Sequence, residues 1–462
     1  MHLLTNITER SDKFAQPESE SYAEAVASFN LLADLRPAAA MTATSVADVV
    51  EAISTANRAG LPLSVFTTGH AALGLPSLEG ALLVKMALDA RVQVDAERRV
   101  ATVPAGASWG EVVAAATEHG LAAMHGSSAT VGAIGYLLRG GLSFYGRLKG
   151  LASNSLRSVT LITSEGHMIK ADASNDPDLF WAIRGGGGGF GIITEVEIDL
   201  FPMWQITTGF TAWSATDAHL IAPLWRKWTE SAPREVTTSI RLMNLPPLPG
   251  IPAPLVNGQI LVLDGAITIE TEGELSRARE YAAVLLEPLR AAAAPVMDTW
   301  HTGSPADLIM THMDPPEPAP ARADHYLLNN VDDSAIDAWL AAAGPGSSSV
   351  LAVSELRQLG GAFRDRAEHG GVLNGIDGQF AALNVGIPMG MATVDLIRAQ
   401  MQRIRETLSP FDTGFTAPTF VEEAGSPHRA LPADLEARVE VIRQRFDPSG
   451  MFALDVMRAT IR

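Results

Sequence analysis

Apolar and polar residues alternate with two different periods in the first part of the chain. Helical spacing, with an apolar residue at every third or fourth position, predicts helices from Tyr22 to Leu35, from Val46 to Ala59 and from Trp109 to His119. Period-two alternation predicts strands with one buried face from Leu156 to Thr163 and from Ile192 to Leu200. The pattern therefore predicts a lobe of mixed helices and strands in this part of the chain.

After Pro202 the pattern predicts a second lobe, in which helices cover one side of an antiparallel sheet. The predicted strands are Trp204 to Thr211, Val236 to Met243, Gln259 to Leu263, Ser348 to Leu356 and Gln379 to Val385. The predicted helices are Asp217 to Ser231, Thr271 to Ala292, Ala335 to Ala343, Met391 to Leu408 and Leu435 to Arg445. The fold class that follows is α+β, built from two lobes.

The stretch from Asp176 to Gly191 places the glycine run 185–189 between an apolar segment and the strand that begins at Ile192. A dinucleotide-binding or P-loop fingerprint needs another order, in which a helix follows the glycines and its N-terminus meets the phosphates. Because glycine lacks a Cβ atom, the run lets the backbone approach something large and flat, or take positive φ repeatedly. A flexible linker is the alternative, but linkers are not normally flanked by Phe-Trp and a regular strand.

Two further glycine-rich segments belong to the same lobe. Thr67 to Gly74 follows a short predicted strand, and His125 to Gly135 leads into the segment from Leu138 to Gly141. Each segment offers backbone N–H groups and small hydroxyls that can bind a pyrophosphate without added positive charge. Together with the run at 185–189, they predict a site that wraps a long cofactor with two phosphates.

Composition narrows the class of protein. The 462 residues are too many for one core, and the absence of Cys excludes disulfides, thiolate metal sites and Cys nucleophiles. A net charge of −18 argues against nucleic acid and membrane partners. Met1 to Glu20 lacks the apolar centre of a signal peptide, so we predict a cytoplasmic protein. We predict no metal, because His301 and His312 are not spaced like metal ligands.

These motifs together resemble the berberine-bridge-enzyme-like branch of the vanillyl-alcohol-oxidase superfamily, whose members have a PCMH-type FAD-binding lobe in two parts and a substrate lobe. The segment from Asp176 to Thr194 is the most specific part of the resemblance. Gly69-His70 with Gly74 resembles the loop whose histidine is bonded to the 8α-methyl of FAD. Phe446-Asp-Pro448 resembles the closing motif that returns the chain to the FAD lobe. The motifs thin out in the second lobe.

The resemblance implies a helical segment at 1–35, a PCMH-type FAD-binding domain at 36–204, a substrate-binding domain at 205–410 and a C-terminal segment at 411–462 that returns to the FAD domain. It implies FAD held covalently through His70 alone, since Ser128 stands where many relatives have a second, cysteine attachment. The residues that it assigns to FAD are Phe66, Thr67, Thr68, Gly69, His70, Gly74, Ser127, Ser128, Val131, Gly132, Gly135, Gly140, Gly141, Gly191 and Ile193. Val131 stands at the family's oxygen gate, where a small residue admits O₂ and favours an oxidase.

Several positions depart from the family pattern. Arg139 and Ser143 stand where glycines are usual, and Asn154 stands where an aspartate is usual. The cation of Arg139 could pair with a phosphate, cover the flavin or point to solvent. The usual Tyr-X-Asn-Phe segment is best matched by Phe415-Thr-Ala-Pro418, which has neither the phenol nor the amide.

The catalytic base must therefore come from elsewhere. Glu355 is the first candidate, because it alternates within a strand expected to face the flavin. Tyr136 and Asn384 complete the predicted catalytic set. The other candidates are Tyr145, Arg357, His369 and Glu422.

These features predict an FAD-dependent oxidase that moves a hydride from a C–H next to oxygen or nitrogen to flavin N5, with O₂ as the electron acceptor. The Leu-, Pro-, Met- and Phe-rich second lobe favours an apolar or polycyclic small molecule, as in natural-product biosynthesis, acted on by a monomer or homodimer. One alternative is an oxidative cyclase or monooxygenase-like tailoring enzyme on the same scaffold. Another is a redox-inactive protein in which FAD is structural.

Overall fold

The computed structural model describes residues 13–247 and 251–457 of the chain. The start of the predicted N-terminal segment and residues 248–250 of a Pro- and Leu-rich loop lie outside the described residues. Within them the fold is α+β, with a separate hydrophobic core in each of two lobes, which confirms the predicted fold class. None of the described helices is long and apolar enough to cross a membrane.

The first lobe contains a parallel sheet and an antiparallel sheet. The parallel sheet consists of β1 (Ala39–Ala43), β2 (Leu63–Phe66) and β3 (Leu82–Met86), with β3 in the middle. The antiparallel sheet consists of β4 (Gln93–Asp95), β5 (Val100–Pro104), β7 (Leu156–Ile162), β8 (Met168–Asp172) and β9 (Ile192–Asp199), in the order β4-β5-β9-β7-β8. A short pair, β6 (Leu121–Ala122) and β10 (Phe201–Pro202), lies beside them.

Helices pack around these sheets. They are α1 (Glu20–Val26), α2 (Val46–Ala59), α3 (Trp109–Thr117), α4 (Ala133–Leu138), α5 (Gly146–Lys149) and α6 (Pro177–Gly186). Ser45 and Asp48 form a capping box, which fixes the start of α2 where the apolar spacing predicted it.

The predicted helix from Tyr22 to Leu35 is wrong in its second half. α1 ends at Val26, and the chain continues as a loop. In that loop Phe29 N donates to Thr68 O at 2.8 Å, which holds the loop against the first glycine-rich segment. Tertiary hydrogen bonds thus override a weak helical pattern.

The second lobe is built on a large antiparallel sheet. Its long strands are β11 (Gln205–Ser214), β12 (Val236–Met243), β13 (Ile260–Ile269), β16 (Arg322–Leu328), β17 (Val353–Gln358) and β18 (Phe380–Gly386). They lie in the order β11-β13-β12-β17-β18-β16, and the short strands β14 (Met297–Asp298) and β15 (His301–Gly303) pair with β11. The predicted antiparallel sheet is therefore confirmed.

Helices cover one face of this sheet, as predicted. They are α7 (Ala218–Thr229), α8 (Leu275–Ala292), α9 (Asp333–Ala343) and α10 (Val394–Leu408). Their apolar side chains share a core with Ile240 and Leu242 of β12 and with Leu356 of β17. Because side chains alternate across a strand, the neighbouring Arg241 and Arg357 point to the other face. Arg357 lies over the Phe144 ring of the first lobe at 5.1 Å, so this second face meets that lobe.

The last helix, α11 (Ala433–Phe446), packs against α6 of the first lobe. Arg443 of α11 donates from Nε to Gly188 O at 2.9 Å. Asp447 then accepts from the N–H groups of Met451 and Phe452 at 2.9 and 2.8 Å. The Phe-Asp-Pro motif thus turns the chain beside the glycine run.

Candidate functional site

A cavity of about 1000 Å³ lies between the two lobes. Its first wall comes from the three glycine-rich segments of the first lobe, and its second wall comes from the helix-free face of the large sheet. Pockets for small molecules usually measure about 300–1,000 Å³. The cavity is at the upper end of that range, as a cofactor together with a second molecule would require.

The glycine run forms part of the first wall. Gly187, Gly188, Gly189 and Gly191 all line the cavity between the end of α6 and the start of β9. Gly187 has a φ of +81°, and a Cβ atom there would collide with the Met457 side chain. Only glycine suits this position, and the predicted order of glycines followed by a strand is correct.

Gly135 leaves open space beside this wall. It belongs to α4 and lines the cavity, and a Cβ atom placed on it would meet no protein atom within 4 Å. Neither protein packing nor left-handed backbone therefore requires glycine here. A bound group that approaches the backbone closely would give glycine a role here. The first wall thus suits a large cofactor held by backbone contacts.

His70 follows β2 and also lines the cavity. Its ring stacks on Phe29, with centroids 3.7 Å apart and planes at 14°, and its Nε2 lies 3.0 Å from Thr130 Oγ1. Burial lowers the pKa of His70 to about 4, although Asp314 acts in the opposite direction. The imidazole is therefore neutral near pH 7. With Nε2 bonded to Thr130, Nδ1 is the ring nitrogen left for another partner.

The second wall carries five ionisable side chains, which we call the buried ion network: Arg241, Asp264, His312, Glu355 and Arg357. Asp264 accepts from Arg241 and lies 2.8 Å from His312 Nδ1, and Glu355 accepts from Arg357 Nε at 2.7 Å. Each of the five is at most 5% exposed. The two arginines and His312 line the cavity, whereas the two carboxylates lie behind them.

His312 can join the network in two ways. Its Nε2 lies 2.8 Å from Arg357 Nη2 and 3.3 Å from Glu355 Oε2. A neutral His312 accepts from Arg357, whereas a protonated His312 donates to Glu355. Burial and Arg241 lower the pKa of His312, but Asp264 and Glu355 outweigh them and raise it overall. The raised pKa shifts His312 toward its protonated form relative to a free histidine, and Arg357 with His312 holds the pKa of Glu355 well below its usual range despite burial.

Tyr136 in α4 and Arg139, the residue that ends α4, both line the cavity. Tyr136 Oη is buried and has no hydrogen-bond partner in residues 13–247 and 251–457. Arg139 Nη1 donates to Val421 O at 2.7 Å, so the guanidinium does not point to bulk solvent. Burial raises the pKa of Glu422, another cavity residue, to about 7, although Arg139 acts to lower it.

Much of the first wall lies in a segment that is similar to a known family. Residues 37–172 match a family model described as an FAD binding domain. The chain contains an FAD-binding domain. The predicted resemblance is confirmed at the level of this domain and of the fold, because the chain superimposes on berberine bridge enzyme from Eschscholzia californica with a TM-score of 0.81. That superposition covers 100% of this chain and 99% of the other at 17% identity, so it shows the fold alone.

Two curated relatives match a shorter stretch. (R)-6-Hydroxynicotine oxidase of Paenarthrobacter nicotinovorans is 33% identical over 186 residues, which are 40% of this chain and 41% of that protein. FAD-dependent monooxygenase FUP4 of Fusarium proliferatum (strain ET1) is 36% identical over 174 residues, which are 37% of this chain and 34% of that protein. The chain thus matches less than half the length of either relative.

Most of the residues predicted to bind FAD line the cavity. They are Phe66, Thr67, Thr68, Gly69, His70, Ser127, Ser128, Val131, Gly132, Gly135, Gly191 and Ile193. Gly74, Gly140 and Gly141 are not part of the lining. A Cβ atom on them would meet Glu422 O, the Leu373 side chain and the Tyr136 ring, respectively, so close packing within the protein explains these glycines.

The predicted catalytic residues fall in three different places. Tyr136 lines the cavity. Glu355 lies on the cavity side of β17, but it is 1% exposed and lies behind His312 and Arg357, so it reaches the cavity only through them. Asn384 is wrong as a cavity residue. Its neighbours Leu383 and Val385 line the cavity, so Asn384 faces the helices, where it accepts from Ser354 Oγ at 2.8 Å.

The remaining candidates divide in the same way. Arg357 and Glu422 line the cavity, whereas Tyr145 and His369 do not. Tyr145 packs its ring against His125, with centroids 5.6 Å apart, and His369 lies exposed in a loop.

Arg241 and Asp264 were not among the site residues predicted from the sequence. Each is the one charged residue of a strand whose residues are all buried, Val236–Met243 and Ile260–Ile269. A lone charge inside such a strand indicates a buried partner, because an unpaired buried charge is costly. That signal was available in the sequence, although it does not name the partner.

Proposed function

We propose that the protein is an FAD-dependent oxidase of an apolar small molecule, with FAD bonded covalently to His70. The observation that carries the proposal is the single cavity shared by the FAD-binding domain and the large sheet. A cofactor against the first wall and a substrate against the second would share one space, as direct hydride transfer requires. Bound FAD supplies a two-electron acceptor for a C–H next to oxygen or nitrogen, and a route for those electrons to O₂.

The residues of the first wall are suited to the cofactor. Backbone N–H groups and the hydroxyls of Thr67, Thr68 and Ser128 offer donors to phosphates. His70 is neutral, and in the tautomer whose Nε2–H donates to Thr130 Oγ1, Nδ1 keeps its lone pair for a partner. A neutral, oriented imidazole supports its assignment as the attachment point.

The second wall supports the proposed substrate class. Apolar side chains surround the buried ion network on the cavity side: Met243, Leu245, Ile251, Leu255, Val353, Leu383 and Val385. The free hydroxyl of Tyr136 is a candidate catalytic group, because it can contact a substrate oxygen or nitrogen. Glu355 becomes a positioning residue, which holds His312 and Arg357 in place. The small side chain of Val131 in the lining supports access of O₂ and hence an oxidase.

Acid precipitation tests the cofactor part of the proposal. The purified protein should be yellow, and its acid pellet should stay yellow and give a fluorescent band on a denaturing gel. His70→Ala should release its flavin into the acid supernatant, whereas His369→Ala, a matched control at an exposed histidine, should keep it. A protein that stays colourless with added FAD, or a His70→Ala variant with acid-stable flavin, would contradict the proposal.

Monooxygenase chemistry is a second candidate, because the match to FUP4 is closer in identity than the match to the oxidase. The two reactions differ in the fate of O₂. An oxidase releases one H₂O₂ per product and leaves no oxygen atom from O₂ in the product, whereas a monooxygenase inserts one. Turnover under ¹⁸O₂ with product mass measurement separates them. Yellow protein that no substrate bleaches without air would favour FAD as a structural group.

A further inference from the structure

The buried ion network presents its cations to the cavity and keeps its anions away from it. Arg241, His312 and Arg357 line the cavity, whereas Asp264 and Glu355 do not and are 0% and 1% exposed. The charges of the two guanidinium groups and the two carboxylates cancel. A proton on His312 therefore leaves the network with one positive charge, on the side that faces the cavity.

Two donors in the cavity lining lack an acceptor, and one of them, Tyr136, is close enough to Arg357 for that charge to oppose the burial that raises the Tyr136 pKa. Tyr136 Oη and Arg241 Nε have no hydrogen-bond partner among the described residues, although the two residues are only 7% and 2% exposed. Buried polar groups are normally paired, so an unpaired one in a cavity lining indicates that a ligand supplies the partner. Asp264 Oδ1 is also unpaired among the described residues, but Asp264 does not line the cavity. The two unpaired atoms of the lining residues can both donate, and the partner they need is an acceptor.

The cationic face is rigid. The guanidinium of Arg357 lies between the rings of Phe144 and Phe420, at 5.1 and 5.0 Å from their centroids. Arg241 Nη1 donates to His312 O at 2.8 Å, which ties the arginine to the segment that carries the histidine. Groups held in this way bind an anion without first being ordered.

Three of the carboxylates that line the cavity interact with the first wall, although one of them, Asp314, also acts with Glu355 against burial to raise the pKa of Arg357. Asp314 accepts from Ser127 Oγ at 2.7 Å, and Glu422 and Asp455 act on the pKa of Arg139. The buried ion network lies instead among Met243, Val353 and other apolar residues of the second wall. An acceptor that binds there belongs to an otherwise apolar molecule.

We propose that Arg241, His312, Arg357 and Tyr136 form a subsite for an anionic oxygen, a carboxylate or phenolate, on an otherwise apolar substrate. The subsite deepens the proposed function and rests on it, since it names the class of substrate that would enter the oxidase. An apolar acid would place its ring among the aliphatic side chains and its oxygen at the cationic face.

Binding of a matched acid and amide tests the subsite. The probes are 2-naphthoate and 2-naphthamide, which have the same apolar body, and the protein is FAD-loaded so that the cofactor fills its own part of the cavity. Calorimetry at pH 6.5 should show the acid bound at least about tenfold more tightly, as for hydrogen bonds to a charged group. Glu355→Gln with Arg357→Gln removes one cation and its counter-charge together, and should abolish most of that preference.

Two further variants keep the test decisive. Tyr136→Phe removes only the free hydroxyl and should weaken acid binding about threefold or more, with little change for the amide. Arg226→Gln removes a buried, paired guanidinium on the helix-covered side and should leave the preference intact. Flavin content and melting temperature report folding, and if the double variant does not fold, Tyr136→Phe decides.

Equal binding of acid and amide to the wild type would overturn the subsite, as would an unchanged preference in Tyr136→Phe and in the folded double variant. These outcomes are distinct from failure of the proposed function. Protein without acid-stable flavin or H₂O₂ production that still selects the acid would overturn the oxidase proposal alone. A working oxidase that binds both probes equally would overturn the subsite alone.

Discussion

Each wall of the cavity carries a histidine, and the pKa values of the two histidines are shifted in opposite directions. On the first wall, burial lowers the pKa of His70 to about 4, and its ring packs on Phe29. On the second wall, Asp264 and Glu355 outweigh burial and raise the pKa of His312. Both rings lie in the lining of one cavity. The first wall is built mainly from backbone and uncharged groups, whereas the second is organised by paired charges.

Loss of a network carboxylate should have the largest effect. Asp264→Ala leaves Arg241 and His312 buried without their shared counter-charge, so we expect the free energy of unfolding to fall by about 3–5 kcal/mol. Asp298→Ala is the control, because Asp298 pairs with Arg290 at 2.7 Å near the surface, and it should cost less than about 1 kcal/mol. Chemical denaturation measures both. Similar losses for the two variants would show that the network does not organise the second wall.

On the first wall, a side chain added at Gly135 should weaken FAD binding without destabilising the fold. Gly135→Leu places its atoms in open cavity space, so FAD affinity should fall at least about tenfold while the cofactor-free fold keeps its stability or gains some helix propensity. Gly273→Leu is the control, since a Cβ atom there meets only Thr271 Oγ1 at 4.0 Å outside the cavity lining. Flavin titration and chemical denaturation give the two readouts. Unchanged FAD affinity in Gly135→Leu would remove the main support for a backbone-built cofactor wall.

The same contrast explains what the sequence could predict. The first wall depends on glycines and on a strand that follows them directly, and both are local in the sequence. Most predicted FAD residues accordingly line the cavity. Gly74, Gly140 and Gly141 do not line the cavity, because glycine serves close protein packing as readily as ligand contact.

The second wall depends on strand register, which the alternating pattern does not reveal. Arg241 of β12 lies directly across from Glu355 of β17, and this pairing joins residues distant in the chain. The error at Asn384 is one of phase, because a shift of one residue moves a side chain to the other face. Glu355 was predicted on the correct face of its strand. That His312 and Arg357 separate it from the cavity depends on tertiary packing, which the sequence pattern does not contain.

A smaller change tests how His70 is oriented. Thr130→Val keeps the shape of the side chain but removes the hydroxyl beside His70 Nε2. If that bond selects the tautomer with Nδ1 free, acid-stable flavin should form about threefold to tenfold more slowly, as expected for loss of one neutral hydrogen bond. Thr117→Val, which removes a hydroxyl bonded to Val113 O, should leave the rate unchanged. Equal rates in wild type and Thr130→Val would assign the orientation to Phe29 stacking instead.

The smallest expected effect is on the pH dependence of stability. It distinguishes the two walls directly, because His312 and His70 should respond to pH with opposite signs. The pKa of His312 is raised in the fold, where Arg241, Asp264, Glu355 and Arg357 face it. Its contribution is therefore complete below the unfolded pKa of about 6.5 and is lost as pH rises through the folded pKa. The pKa of His70 is lowered to about 4, so its contribution is complete above about 6.5 and is lost as pH falls toward 4.

Unfolding free energies of cofactor-free wild type, His312→Gln and His70→Gln, measured across pH 4.5–9, test these opposite signs. The stability of the wild type relative to His312→Gln should shrink as pH rises, and its stability relative to His70→Gln should shrink as pH falls. Because both variants remove an imidazole from the same cavity lining, a general effect of pH on the fold cancels in the comparison. Two differences that change in the same direction with pH would mean that the carboxylates behind His312 do not set its protonation.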